Sequence, residues 1–182
     1  MTFNFKTASR QELQKKYNAI AAETGDDQFF TKKELHHLPS VLADNEQVLA
    51  FSSGLMGGNT WLIALTDRRV IFLDKGMIFG LKQASIDLDK VNAVTGRTGL
   101  FFGSIIIEDG ARERQITNVW KKTVITFTNK MRDAMEARKN RAGTQNAGED
   151  TISKLERLAA LKRSGVLSPA EFENQKTKLL KA

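Results

Sequence analysis

The sequence predicts an α+β chain. Its centre is a small barrel or sandwich of about seven antiparallel strands closed by one helix, with helices before it and a helical hairpin after it. Three observations carry this expectation. Between residues 46 and 117, short β-branched and aromatic runs alternate with turn residues. From residue 118 the pattern changes to one apolar stripe at helical spacing. Residues 151–182 carry paired helix stop and start signals around Gly165 and Ser168.

The elements follow in order. Ser9 and Glu12 read as a capping box ahead of a helix whose stripe is Leu13, Tyr17, Ile20 and Ala21, with Gly25 as its stop. Thr31 and Glu34 repeat the capping pattern before a shorter helix with Leu35 and Leu38, which Pro39 ends or turns. Strands are predicted near 46–53, 60–66, 68–74, 81–87, 90–95, 100–108 and 112–117. Gly- and Asp-rich separators too short for a parallel crossover divide them, so neighbours are antiparallel. Asn118 is placed to cap a helix running to about residue 140, with Trp120, Val124, Phe127, Met131, Ala134 and Met135 on one face. At ~100° per residue these six stay within about 60° of Trp120, as a helix laid on a sheet requires.

Residues 141–150 are small, polar and aperiodic, and read as a linker. In the hairpin, Ile152, Leu155, Leu158, Ala159 and Leu161 form an amphipathic stripe. Gly165 and Val166 then fit a Schellman stop against Leu161. Ser168, Pro169 and Glu171 open the second helix, with Leu167 and Phe172 as a hydrophobic staple. The expected division is therefore 1–44 helical, 45–140 β domain with closing helix, 141–150 linker and 151–182 hairpin.

Composition narrows the chemistry. The chain has no cysteine, which removes disulfides, thiolate catalysis and Cys-based zinc sites and fits a reducing compartment. Residues 1–10 have no apolar leader, and no run reaches the length of a membrane span, so a cytoplasmic protein is expected. The net charge is +7, and residues 119–142 hold most of it, with seven basic and two acidic groups. A localised excess of this kind favours an anionic partner more than a uniform one does.

Residues 151–181, with the core ISKLERLAALKRSGVLSPAEFENQKTKLL, resemble the bacterial short C-terminal domain known as SHOCT. The matching positions are Gly165, Val166, Leu167, Ser168, Glu171, Phe172, Lys178, Leu179 and Leu180. Residues 35–138 resemble the bacterial PH-like (pleckstrin-homology-like) domains. The segments that match are LHHLPSVLADNEQVLAF, LIALTDRRVIFLDKGMIFG, SIDLDKVNAV and GLFFGSIII. The resemblance implies a PH-type barrel and a tendency to self-associate, and it implies no particular ligand. PH domains that bind phosphoinositides usually concentrate Lys and Arg around the loop between the first two strands. Residues 52–59 contain none.

No catalytic, metal or cofactor constellation is present in the sequence. His36 and His37 diverge by ~100° on a helix and have no third imidazole beside them, so they read as solvent-facing. No Gly-x-Ser-x-Gly nucleophile motif occurs. The clusters at 54–58 and 99–103 lack the Lys-Ser/Thr of a phosphate loop and read as hairpin glycines. Arg68 and Arg69 read as parts of a structural turn. Two apolar triplets, Met77, Ile78, Phe79 and Leu100, Phe101, Phe102, fit either burial under the barrel mouth or an oligomer or membrane contact. Leu155, Leu158, Phe172 and Leu179 are candidates for docking a partner. Lys121, Arg132 and Lys139 share a partial basic stripe that suits an anion, but Trp120 and Phe127 are expected in the core, away from any nucleic acid. The expected function is a non-catalytic scaffold without cofactors. It would self-associate through its β domain and dock an unknown protein through its hairpin. A peripheral module for anionic membrane or nucleic acid is the alternative.

Overall fold

A computed structural model describes residues 2–27, 31–76, 80–110 and 112–181. Seven antiparallel strands form one sheet in the order β4-β3-β2-β1-β7-β6-β5. They are β1 (Val48–Met56), β2 (Asn59–Thr66), β3 (Arg69–Lys75), β4 (Leu81–Asp87), β5 (Ala93–Thr98), β6 (Phe102–Glu108) and β7 (Glu113–Trp120), with a 3-10 turn at Leu88–Lys90. The antiparallel arrangement is as expected from the short connections. The first of these, between β1 and β2, is only Gly57-Gly58, with φ of 58° and 82°. Two consecutive positive φ values suit a tight hairpin turn whose twist matches that of the strands.

Gly54 is not a hairpin residue. It lies inside β1 where that strand meets β7 at the pair Leu55–Thr117. A Cβ there would come within 2.4 Å of Ile116 Cγ2 and 2.8 Å of the Thr117 carbonyl oxygen. The two halves of the sheet join at this crossing because only hydrogen stands at position 54.

Both faces of β1–β3 are covered. One core gathers Ala50, Ile63, Leu65, Val70 and Phe72 with Ile105, Ile107 and Ile116 under the closing helix. The other takes the alternate residues Val48, Phe51, Leu62, Ala64, Ile71 and Leu73 and packs them against Phe5, Tyr17, Ile20, Leu35 and Leu38. Those partners come from the N-terminal segment, α1 (Arg10–Thr24) and α2 (Lys32–Val41). The Ser9–Glu12 capping box forms, and Gly25 ends α1 with φ 77°. The capping expected at Thr31 does not. Thr31 is buried and makes no side-chain cap bond; its hydroxyl pairs with Ser53 Oγ at 2.8 Å, so a tertiary partner replaces the local one. Pro39 lies inside α2, which continues to Val41.

Where β1 and β7 part, other groups complete the exposed edge. Asp26 accepts from the Ser53 N–H at 3.0 Å, and Lys130 donates to the Leu49 carbonyl at 3.3 Å. Thr123 donates to the Gly25 carbonyl at 2.7 Å, fastening the end of α1 to the closing helix.

That helix, α3 (Lys121–Arg163), starts later than expected. Asn118 is a strand residue with φ 58° rather than a cap, and Trp120 ends β7. Val124, Phe127, Met131 and Ala134 are buried in the first core as the stripe requires, and Met135 packs partly against it. Trp120 is not buried with them. The expected irregular linker at 141–150 is helical backbone within α3. Its two glycines cost about 1 kcal/mol each. Helix propagation from both sides is cooperative and carries through them.

The chain divides into two compact units, Met1–Arg138 and Lys139–Ala182. In the second, α3 turns at residues 164–168 into α4 (Pro169–Lys181). The turn is the Schellman stop expected. The Gly165 N–H donates to the Lys162 carbonyl at 3.1 Å and the Val166 N–H to the Leu161 carbonyl at 3.0 Å. Ser168 and Glu171 form the second capping box.

Candidate functional site

The β5–β6 hairpin carries an apolar tip. Gly99 donates its N–H to the Phe102 carbonyl at 2.7 Å, which leaves Leu100 and Phe101 at the turn. They are 80% and 66% exposed, and Phe102 and Trp120 beside them are 41% and 42% exposed. Of the two placements open to the triplet Leu100, Phe101, Phe102, the structure takes the exposed one.

The backbone around this patch is specialised. Between β6 and β7 the register shifts from Gly103–Val119 to Ile105–Ile116, and Asn118, in the left-handed region, sits in the resulting bulge. A bulge inserts an extra residue and re-aims the side chains that follow. Here Val119 turns into the core and Trp120 turns out, against Phe102 with ring centroids 4.4 Å apart. Trp120 Nε1 donates to Asp27 Oδ2 at 3.2 Å, and the Lys121 N–H donates to the Phe101 carbonyl at 2.9 Å. A Cβ on Gly103 would lie 2.1 Å from the Arg97 carbonyl oxygen, so the hairpin closes tightly only with glycine there. The tip is thus a fixed aromatic platform, with exposed Arg97 and Lys121 at its margin.

A spacing in the sequence carried this information. Ile116 and Val119 are both buried and lie three apart, which a strand of period two cannot satisfy without an extra residue. Trp120 therefore falls out of the helical stripe.

The remaining candidates fall as follows. Met77, Ile78 and Phe79 lie outside the described residues. Of the basic set, Arg132 donates to the Val94 carbonyl at 3.3 Å and to Asn129 at 3.1 Å, while Lys121 and Lys139 are exposed. Other cations of α3 are also used internally. Lys130 pairs with Glu23 at 2.6 Å, and Lys122 reaches the Ala22 carbonyl at 3.4 Å. Arg69 pairs with Glu46 at 2.8 Å and Arg68 holds the Asp44 carbonyl at 2.9 Å, so this turn is structural. In the hairpin, Leu155, Leu158, Phe172 and Leu179 are half-buried, with Lys162 Nζ 4.6 Å from the Phe172 ring centroid.

A cavity of about 290 Å³ between α1 and α2 is lined by Arg10, Gln14, Asn18, Lys32 and His36 among others. Gln14 and Asn18 bond each other at 2.8 Å there. Tyr17 also lines it, but its ring packs against Phe5 and Phe51, and burial pushes its hydroxyl well above the usual phenol range. It is a neutral core residue. Among the described residues no three His, Cys, Asp or Glu converge to hold a metal ion, and no helix is long and apolar enough to cross a membrane.

Fold and site together define a module built on a PH-type barrel. The family model for the bacterial PH domain matches residues 42–133, just over half of the chain. The chain belongs to that family. The model for the short C-terminal domain, SHOCT, matches residues 153–180. Modules of these two kinds are generally non-catalytic. No curated protein matches the chain. Among solved structures, a pleckstrin homology domain from Shewanella amazonensis SB2B is similar. It has 17% identity over 57% of this chain and 96% of that chain, with a TM-score of 0.42.

Proposed function

We propose that this chain is a cytoplasmic, non-catalytic scaffold that self-associates through the β5–β6 tip and docks a protein partner through its C-terminal hairpin. The observation that supports it is the fixed, exposed cluster Leu100, Phe101, Phe102 and Trp120. Apolar area left in water forfeits roughly 25 cal/mol per Å², and aromatic residues on a rigid support dominate the energetics of protein contacts. Met77, Ile78 and Phe79 are a second candidate for the same contact. In the hairpin, Leu155, Leu158, Phe172 and Leu179 form the docking face.

Sedimentation velocity tests the reading. The full chain is expected to run larger than a monomer, and the Leu100→Ser, Phe101→Ser double variant is expected to run smaller. A monomeric wild type at every concentration overturns self-association, and an unchanged oligomer in the double variant removes the tip from the contact.

Arg97 and Lys121 beside the aromatic tip favour one other reading, adhesion to an anionic membrane surface. Co-sedimentation with phosphatidylserine vesicles that falls steeply with added salt would select it over an apolar protein contact.

A further inference from the structure

Among the described residues, β5 ends the sheet and pairs with β6 alone. In an antiparallel ladder, alternate residues direct their backbone groups to opposite sides. Gly99 bonds Phe102 directly, and the same register continues through Arg97–Ser104 and Thr95–Ile106. Residues 94, 96 and 98 therefore face away from β6. The Val94 carbonyl confirms this, since it accepts from Arg132 on the open side at 3.3 Å. The N–H and C=O groups of Gly96 and Thr98 stand along a free edge.

One flank of α3 runs beside that edge. A Cβ on Gly96 would lie 2.9 Å from Val124 and 3.2 Å from Thr128, so the helix approaches β5 closely at the glycine. At ~100° per residue, Lys121, Ile125, Thr128 and Arg132 fall within about 60° of one another. Thr128 and Arg132 touch β5, so Lys121 and Ile125 share its side. Ile125 is 48% exposed. Arg97 on the strand and Lys121 on the helix are exposed too, and Glu136 follows one turn beyond Arg132, past the start of β5.

We infer that the β5 edge and this flank of α3 take an extended acidic segment of another protein as an added strand. Main-chain bonds to Gly96 and Thr98 supply the register. A residue opposite Gly96 points to the helix side and meets Ile125, so it is apolar. Residues two before and two after it, ~7 Å away along the strand, point the same way toward Lys121 and Arg132, which lie about one turn before and about two turns after Ile125 on the helix. They are acidic. The ligand motif is acidic-x-apolar-x-acidic. A thin extended segment fits beside a helix that already crowds the strand at Gly96. This inference is independent of the tip contact, because it uses neither Phe101 nor Trp120.

The test uses the full chain and two synthetic heptapeptides, Thr-Glu-Thr-Val-Thr-Glu-Thr and its Lys-for-Glu counterpart, followed by amide NMR. Saturable shifts centred on the Gly96 and Thr98 amides are expected with the Glu peptide only. Thr98→Pro removes a donor that faces away from β6 and is expected to abolish those shifts while β5–β6 pairing persists. Lys121→Glu, at an exposed position, is expected to weaken binding about tenfold, which decides the matter if the proline variant does not fold. Phe101→Ser is expected to leave peptide binding unchanged. Equal binding of the Lys peptide, or no saturable shift at Gly96 and Thr98, overturns the inference and leaves the tip contact standing.

Discussion

Glu46 shows what a single buried charge does for this fold. Its side chain is fully enclosed; Oε1 accepts from Arg69 Nε at 2.9 Å and from Thr66 at 2.8 Å, and Oε2 accepts from the Ala43 N–H at 2.7 Å. Arg69 also donates to the Val41 carbonyl at 3.1 Å, so the pair ties the end of α2 to the β2–β3 turn. Glu46→Ala leaves the Arg69 guanidinium without its partner and is expected to cost about 3–5 kcal/mol in urea denaturation. Burial pushes the Glu46 carboxyl up, but the bonds from Arg69, Ala43 and Thr66 outweigh it and hold the group below its ordinary 4.5. A depressed folded value stabilises the fold above the unfolded pKa. That contribution is lost as pH falls through the folded value. The stability gap between wild type and Glu46→Ala should therefore be constant near neutrality and shrink below the ordinary 4.5. The Asp-Arg turn was legible in the sequence as structural. The identity of its partner, more than twenty positions away along the chain, was not.

At the scale of elements, local signals held where no distant group competed for the capping side chain. Ser9–Glu12, Ser168–Glu171 and the Gly165 stop all formed as read. Thr31 failed because Ser53, far off in sequence, competes for its hydroxyl. In α3, Phe127 is fully buried under the barrel, and Phe127→Ala is expected to cost about 3–5 kcal/mol, measured by thermal or urea unfolding. Phe172 in the hairpin is only half-buried. Phe172→Ala is expected to reduce helical ellipticity and abolish partner recruitment without moving the main melting transition. A large drop in that transition would show that the hairpin supports the β domain.

On the scale of the whole molecule, the sheet needs cover on both sides. Leu62 to Leu65 and Val70 to Leu73 are continuous apolar runs, and every one of these residues is buried. Such runs signal a strand with no solvent face. They made it legible that something besides α3 must lie on the sheet, though not that α1 and α2 do. Deleting residues 1–44 would uncover Phe51, Leu62, Ile71 and Leu73. Light scattering of the truncated chain is expected to show aggregation, and a soluble, cooperatively melting 45–182 fragment would contradict this role for the N-terminal helices.

By itself the sequence determined the number, type and antiparallel pairing of the strands, the core stripe of α3 and the hairpin stop. Each depends on residue periodicity or on bonds within a few positions. Only the tertiary structure decided that Trp120 faces outward, that Gly54 marks a crossing rather than a turn, and that Lys122, Lys130 and Arg132 of α3 are tied to backbone carbonyls or a carboxylate. Those outcomes depend on what a side chain meets across the fold. A register shift of one residue at Asn118 was enough to turn Trp120 from the expected core to the aromatic tip, because successive side chains of a strand point to opposite faces.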